Sequence, residues 1–595
     1  MNSKAFLIGI QCIIYIVSVI ANSTTAACEA VSSLPAAATS PSSWTINNAT
    51  NSSYLRWLQA SWTRYPGRTY ISTVADECMG MAVHWRILET KIQIAVAVQA
   101  KGWAGFGFSE TGGMKGSDIV YFSTSDNQIH DAYVLDTIGT PLLDERQQDW
   151  ILLNYNLTND GYLIFEVERA LNTYDNQDWP IVDDSVPFVP GPKVIGAWGD
   201  TPYMSYHGEK RVHTTLQLYP SPSDTITDGY NGQAGGIFFK EINDRSEGSI
   251  DLVLGNYTIP LASTTYKEVC FSTTKLISLG LPLSNSSTVY IIGMEFLIPK
   301  ASNKYTHHIV GYGHSSVNNK DPSKCNALAQ TVSFEWGPGT DFLLYPSNAG
   351  ILVGSQGKNA FTLQIHFDNR NLDIGVNGKG VGVRMYYTTQ PQTFTLGTFQ
   401  VGDPLIGLFG KSVGNGWSEH TFSCPSSCSS NVFANAPNGE VTVVQEVLHM
   451  HSNGKRMVNQ IIRDGLVVHE AKVDYWDFMQ SGALLVRQEP YKLRNGDSIR
   501  TTCYYDSNSS TTFGIGSQDE MCIAFLTYYP AQNSLFESCG VSLPFFPVCS
   551  VNYNNKMLQD EKSIGRVFGS STKVSGTEFI GGKVIHSILM YNYIK

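Results

Sequence analysis

Val447-Leu448-His449-Met450-His451 closes a β-rich run that opens at Val441. Successive strand side chains face opposite ways, so His449 and His451 project together and present two imidazoles at the separation a metal needs. Three other places answer them: His307-His308, the His of Gln364-Ile365-His366-Phe367, and the Met of Asp519-Glu520-Met521-Cys522. Neighbouring strand residues diverge, so His307 and His308 reach one ion only where the backbone bends or bulges. The chain thus offers two donor sets: three imidazoles (His307, His308, His366), and two imidazoles with a thioether (His449, His451, Met521). Hard cations ignore a thioether and zinc rarely uses one, whereas imidazole with a soft sulfur suits copper cycling between two oxidation states. Taken singly, each piece has a structural reading. An His-x-His pair can be half-exposed and hydrogen-bonded to its neighbours, and a lone Met belongs more often to a core. The rival zinc readings lack their motifs, with no His-Glu-x-x-His and no Cys-x-x-Cys in the chain.

Around these runs the chain reads as all-β. From Ile250 onward no stretch shows clear helical periodicity, while 289–297, 361–367, 381–387, 441–449 and 521–529 are β-rich. Upstream, 81–88 and 91–99 have strand character. The second sets Ile92, Ile94, Val96 and Val98 against its other face, with turn signals at short intervals, the pattern of an antiparallel sandwich.

On these residues the chain resembles the copper type II ascorbate-dependent monooxygenases, the family of dopamine β-hydroxylase and peptidylglycine α-hydroxylating monooxygenase. Thr306-His307-His308-Ile309, the His of Leu363-Gln364-Ile365-His366-Phe367, Leu448-His449-Met450-His451 and Glu520-Met521-Cys522 occur in the family's order, roughly over 250–550. The resemblance implies two antiparallel, jelly-roll-like β-sandwich copper domains, at 250–388 and 389–550, with one ion on each, facing a solvent-filled cleft. It implies that the copper on His307, His308 and His366 passes an electron. The copper on His449, His451 and Met521, the catalytic set, would bind dioxygen and hydroxylate an activated C–H, with ascorbate as electron donor. It also implies disulfides Cys270 to Cys325, Cys424 to Cys539, Cys428 to Cys549 and Cys503 to Cys522, which spacing alone does not choose, and leaves Cys28 and Cys78 as a remaining pair. Where relatives have a further bridge just after the His-His pair, this chain has His314 and no matching second cysteine.

Gly102-Trp103-Ala104-Gly105-Phe106-Gly107-Phe108, then Gly112-Gly113-Met114-Lys115-Gly116-Ser117-Asp118, then Gln148-Asp149-Trp150 resemble a DOMON domain, a β-sandwich covering about 56–218. Some DOMON relatives bind b-type haem through a Met and a His, roles in which Met114 and His207 can be cast. The monooxygenase branch uses the module without haem, and that is the expectation here. Asp118 with nearby backbone carbonyls is a candidate for a hard cation such as calcium, and sugar is a further class of DOMON ligand.

The 595 residues exceed a single core and predict three or four domains. A formal net charge of −11 without a basic run argues against nucleic acid as partner. Residues 1–27 read as a secretory signal peptide, with Lys4 before an apolar stretch and Ala21, Ala26 and Ala27 as cleavage candidates; an uncleaved signal anchor is the alternative. No second apolar run is long enough to span a membrane. Residues 28–55 read as a flexible leader, 219–249 as a linker, and 551–595 as a tail that is either a final strand or loose. A secreted or secretory-lumen protein is expected to carry oxidised cysteines and glycans. Asn48, Asn51, Asn156, Asn256, Asn285 and Asn508 are acceptor positions, and the eleven cysteines become even in number once Cys12 leaves with the signal.

Peptide-hydroxylating relatives recognise a C-terminal carboxylate with an Arg two residues before the His-x-His and a Tyr four after the Met; here Val447 and Phe525 stand there. Burying a carboxylate without a cation is strongly disfavoured, so peptide amidation is not expected, although Gln364 resembles the peptide branch. The apolar pair and the domain order point to a small, aromatic amine-like substrate such as dopamine or tyramine. From a different class comes a secreted DOMON-containing binding or redox-partner protein without hydroxylase turnover. The sequence is compatible with an oligomer and does not fix its size.

Overall fold

Strand Lys91–Gln99 carries the expected alternation and is buried on both faces. Ile92, Ile94, Val96 and Val98 enter a core with Trp85, Phe106, Phe122 and Phe165, while Ala97 on the reverse lies under Ile164, Tyr70 and Tyr162. It pairs antiparallel with Gly80–Ile87 and Tyr162–Ala170 in one six-stranded sheet. A second six-stranded sheet, built on Trp103–Ser109 and Ser117–Ser123, closes the sandwich. The glycine-aromatic run is explained by this packing. A Cβ on Gly107 would lie 2.5 Å from the Asp118 carbonyl oxygen, while Trp103, Phe106 and Phe108 fill the interior.

The computed structural model describes residues 53, 56–57, 61, 64–73, 79–185, 191–220, 230–231, 234–283, 288–316, 325, 330–403, 411–480, 490–514, 516, 518–532, 538–539, 549, 551–566 and the short strands 572–574, 577–580 and 583–586. The signal peptide, nearly all of the leader, Cys12, Cys28, Cys78 and the acceptors Asn48, Asn51 and Asn285 lie outside the described residues. Asn156, Asn256 and Asn508 are exposed.

The second half of the 219–249 segment is ordered: helix Ala234–Arg245 buries Phe238 and Ile242, four residues apart on one face, against Ile292. Strand Gly248–Val253 then opens the second sandwich. One of its sheets holds Val289–Leu297 and Gly382–Thr388; the other orders Thr264–Phe271, Ala360–Asp368, Thr306–His314 and Gln330–Trp336 side by side. Phe394–Thr395 still pairs with Ala349–Val353 of this sandwich, so the chain crosses to the third sandwich just before Gly397–Gly402. There a four-stranded sheet containing Glu440–Met450 and Cys522–Tyr529 faces a six-stranded one built on Ser412–Cys424, Gly454–Arg463 and Ser498–Thr512. Disulfides Cys270–Cys325, Cys424–Cys539, Cys428–Cys549 and Cys503–Cys522 fasten the second and third sandwiches, in the pairing the resemblance implied. Part of the tail is structural, for Asn552–Met557 pairs with Ser412–Cys424 as an added strand. The described residues include no helix long and apolar enough to cross a membrane.

Buried charge shapes the first sandwich. The Arg169 guanidinium bonds Asp118 at 2.5 Å, faces Asp178 at 3.5 Å and lies over Trp150 at 4.7 Å, so an internal cation already stands beside Asp118 where a hard metal ion was considered. His84, 1 % exposed in Gly80–Ile87, is held neutral, its pKa pushed down from 6.5 to about 3 by burial and then by Arg68 and Arg64. The unfolded chain binds a proton below about pH 6.5 that the folded state refuses, so stability falls as pH falls through that window. The first sandwich is therefore expected to lose about 1.5 kcal/mol between pH 6.5 and pH 5 from this group, seen as a lower melting temperature. His84→Leu should flatten that dependence; an unchanged pH profile would remove His84 as its source.

Candidate metal centres

His307 and His308 open the strand Thr306–His314, and its register against Ala360–Asp368 slips there. Thr306 faces Phe367 and His308 faces His366, which leaves His307 as the extra residue of a bulge. The bulge turns both adjacent rings to one side, as the sequence required. Their Nδ1 atoms lie 3.1 Å apart, and one ligand nitrogen from each of His307, His308 and His366 lies within 4.8 Å of the others. His366 is 0 % exposed and has Tyr266, its cross-strand partner, stacked on its ring at 4.5 Å.

On the third sandwich, His449 and His451 share a face at the end of Glu440–Met450, their ring centroids 5.3 Å apart. Met450 pairs with Cys522, so Met521, buried and one residue earlier, sits at the level of His451. The Cys503–Cys522 bridge and a 2.6 Å bond from the Tyr505 hydroxyl to the Met521 carbonyl pin that position. His451 Nδ1 donates to the Asp519 carbonyl at 2.9 Å, which leaves Nε2 as the nitrogen with a lone pair. The Glu520 carboxylate accepts the backbone N–H of His451 (3.1 Å) and of Asn453 (2.7 Å) and so sets the turn behind the ring.

The expected solvent-filled cleft is closed. His308 lies 5.4 Å from His449 and His307 lies 6.2 Å from His451, centroid to centroid, so the two histidine clusters form one buried chamber. Phe478 roofs it, 4.0 Å from the His307 ring and 5.8 Å from that of His451. Burial, and then the mutual repulsion of the rings, pushes the pKa of His307, His308 and His449 well below that of a free imidazole, and that of His366 to about 3; burial brings His451 to about 4. All five rings are neutral at physiological pH. Among the described residues, His307 Nε2 and His451 Nε2 are buried without a hydrogen-bond partner.

Val447 and Phe525 are direct cross-strand partners, and Val447 shares the face of His449. Gln364 bonds Glu268 at 2.8 Å, and His314 is satisfied by Thr362 at 2.9 Å. Cys424, Cys428 and Cys539 lie together because of their bridges. Register sets Met114 and His207, the residues cast as a haem pair, in different places. Met114 precedes Ser117, which faces Ser109 and through it Lys193. His207 precedes Arg211, which faces Ala197 and through it Gly105 and Tyr121. The strands that follow them thus place the two residues off opposite ends of this sheet. Sequence reading missed Tyr266, Trp476 and Phe478; the aromatic run Tyr475-Trp476-Asp477-Phe478 was the available signal for the last two.

Comparison with known proteins agrees with this architecture. Residues 77–189 match the DOMON domain, 250–373 the copper type II ascorbate-dependent monooxygenase N-terminal domain, and 416–546 its C-terminal domain. The chain is 26 % identical to the mouse "DBH-like monooxygenase protein 1" over 80 % of this chain and 76 % of that protein. It is 24 % identical to "Tyramine beta-hydroxylase" of Caenorhabditis briggsae (71 % and 70 % covered) and 24 % to human "Dopamine beta-hydroxylase" (76 % and 69 %). With three β-sandwiches in that order, the chain belongs to the copper type II ascorbate-dependent monooxygenases and carries a DOMON domain ahead of their two copper domains.

Proposed function

We propose that this protein hydroxylates a small, aromatic amine-like molecule in a copper- and ascorbate-dependent reaction. The observation that carries the reading is the pair of buried ring nitrogens, His307 Nε2 and His451 Nε2, each without a hydrogen-bond partner among the described residues and each inside a group of neutral imidazoles. A buried polar atom left unpaired is costly unless something binds there, and nitrogen-only beside nitrogen-plus-thioether is a donor chemistry that suits copper. In this reading His307, His308 and His366 hold one copper, and His449, His451 and Met521 hold the other. Copper bound there supplies the one-electron redox and dioxygen chemistry of C–H hydroxylation, with ascorbate as electron donor.

The chain's own residues prepare the chamber. Burial keeps the rings unprotonated and their lone pairs available. The Asp519 carbonyl fixes the His451 tautomer, and Glu520 holds the backbone on which that ring stands. Phe478 and Tyr266 cover the rings and exclude water. Val447 and Phe525 offer an apolar wall to an aromatic ring, and neither can pair with a peptide carboxylate. Relatives named for dopamine and tyramine favour a phenylethylamine. The disulfides favour an oxidising secretory compartment.

The full chain purified from a secreting host is expected to retain two coppers and to take up oxygen with ascorbate and a phenylethylamine, giving a product heavier by one oxygen. Protein that retains no copper, or that retains it without ascorbate-dependent oxygen uptake across a panel of small amines, would sink the reading.

A further inference from the structure

Between strand Leu466–Val473 and residue 480 the chain forms a short strap, Asp474-Tyr475-Trp476-Asp477-Phe478-Met479-Gln480, that touches all three sandwiches. Its first half is gripped by the loop 110–116 of the DOMON domain. The Glu110 carboxylate, 5 % exposed, accepts the backbone N–H of Asp474 at 3.0 Å and of Tyr475 at 2.8 Å, and Lys115 Nζ donates to the Trp476 carbonyl at 3.3 Å. Two glycines of the Gly-Gly-Met-Lys-Gly run make the approach close enough. A Cβ on Gly113 would lie 2.4 Å from Asp477 Oδ2, and one on Gly116, whose φ is +61°, would lie 2.7 Å from the Tyr475 side chain. Ser109 braces the loop, its hydroxyl donating to the Gly113 carbonyl at 2.6 Å and accepting from the Gly112 N–H at 3.0 Å.

The second half of the strap reaches the histidines. The Trp476 indole N–H donates to the His451 carbonyl at 2.9 Å, and Phe478 then lies on the ring of His307, which belongs to the other copper domain. Arg370 lies over the Phe478 ring, at 5.1 Å. A carboxylate from one domain, a backbone segment from the second and an imidazole from the third are thus in series.

We propose that the DOMON domain acts through Glu110 and this strap to seat Phe478 on His307, and that Glu110 and Phe478 are positioning residues holding the two histidine clusters at their closed separation. The buried carboxylate fits this role because it is the acceptor of both the Asp474 and Tyr475 amides, so withdrawal of the loop breaks these bonds and loosens the strap. The proposal rests on the copper reading only for its distance measurement; the docking itself is a property of the metal-free chain.

The test uses full-length protein in three DOMON-side or strap-side variants: Glu110→Ala, Gly113→Ala, which wedges the contact while leaving Glu110 in place, and Phe478→Ala. In metal-free protein, amide exchange of 474–480 should speed by about tenfold or more in the first two variants, with the melting of the DOMON domain unchanged. Glu110→Gln, which keeps one acceptor oxygen, should fall nearer the parent. In copper-loaded protein, the separation between the two Cu(II) ions, read by pulsed electron paramagnetic resonance, should lengthen or broaden in all three. Parent protein that binds no copper would overturn the copper reading and leave the exchange result to decide the clamp. Copper-loaded protein with parent exchange and parent separation in both Gly113→Ala and Phe478→Ala would overturn the clamp.

Discussion

Met521→Ile is expected to abolish hydroxylation while leaving the fold and the His307–His308–His366 cluster as they are. Isoleucine nearly conserves the volume of this buried side chain, and swaps of that kind usually cost less than about 1.5 kcal/mol. The backbone around residue 521 is held by groups the substitution does not touch, the Cys503–Cys522 bridge and the Tyr505 hydroxyl on the Met521 carbonyl. What disappears is the sulfur. Loss of a residue merely supporting a metal ligand typically costs 10–100-fold, so loss of a ligand itself should reduce turnover by more than about 100-fold. Product formation under ascorbate and oxygen, set beside copper content and near-ultraviolet circular dichroism, makes the measurement. Hydroxylation at the parent rate would show that Met521 is a core methionine and that the second donor set has been misread.

His366→Ala is expected to fail differently. The ring lies between Tyr266, stacked at 4.5 Å, and His308, its cross-strand partner, and is fully buried. Its removal takes one of three nitrogens from a cluster that includes no residue of the third sandwich. Steady-state turnover should fall by about 100-fold or more, with copper content falling by about one ion per chain, because hydroxylation takes two electrons and the variant can store only one. Unchanged steady-state turnover would remove His366 from electron delivery; loss of both coppers would show that His366 supports the second donor set as well. The cavity left by the ring also costs stability, so a chemical unfolding curve belongs with the kinetics.

Period-two patterning was enough to place His449 and His451 on one face, because strand geometry fixes that relation locally. The adjacent His307 and His308 likewise demanded a bulge, and the register slip at Thr306/His308 is that bulge. Haem ligation by Met114 and His207 was chemically reasonable as a pair of residue types. Sheet direction sets the two off opposite ends of the sheet, and a list of residues does not contain it. The linker reading of 219–249 overlooked Phe238 and Ile242, whose spacing of four is a helical signal that four glycines between Gly229 and Gly236 weakened. Tyr266, Trp476 and Phe478 were opaque for another reason, since aromatic side chains are more often core than site.

The sequence by itself determined the all-β class, the order of three sandwiches, and the residue types of two candidate donor sets, because alternation and side-chain type are written residue by residue. Only the tertiary structure decided that both sets share one buried chamber, that Phe478 closes it, and that Glu110 reaches the strap from 364 positions earlier in the chain. Those relations depend on how separate sandwiches dock, and docking is set by surface shape and a few satisfied amides rather than by any local periodicity.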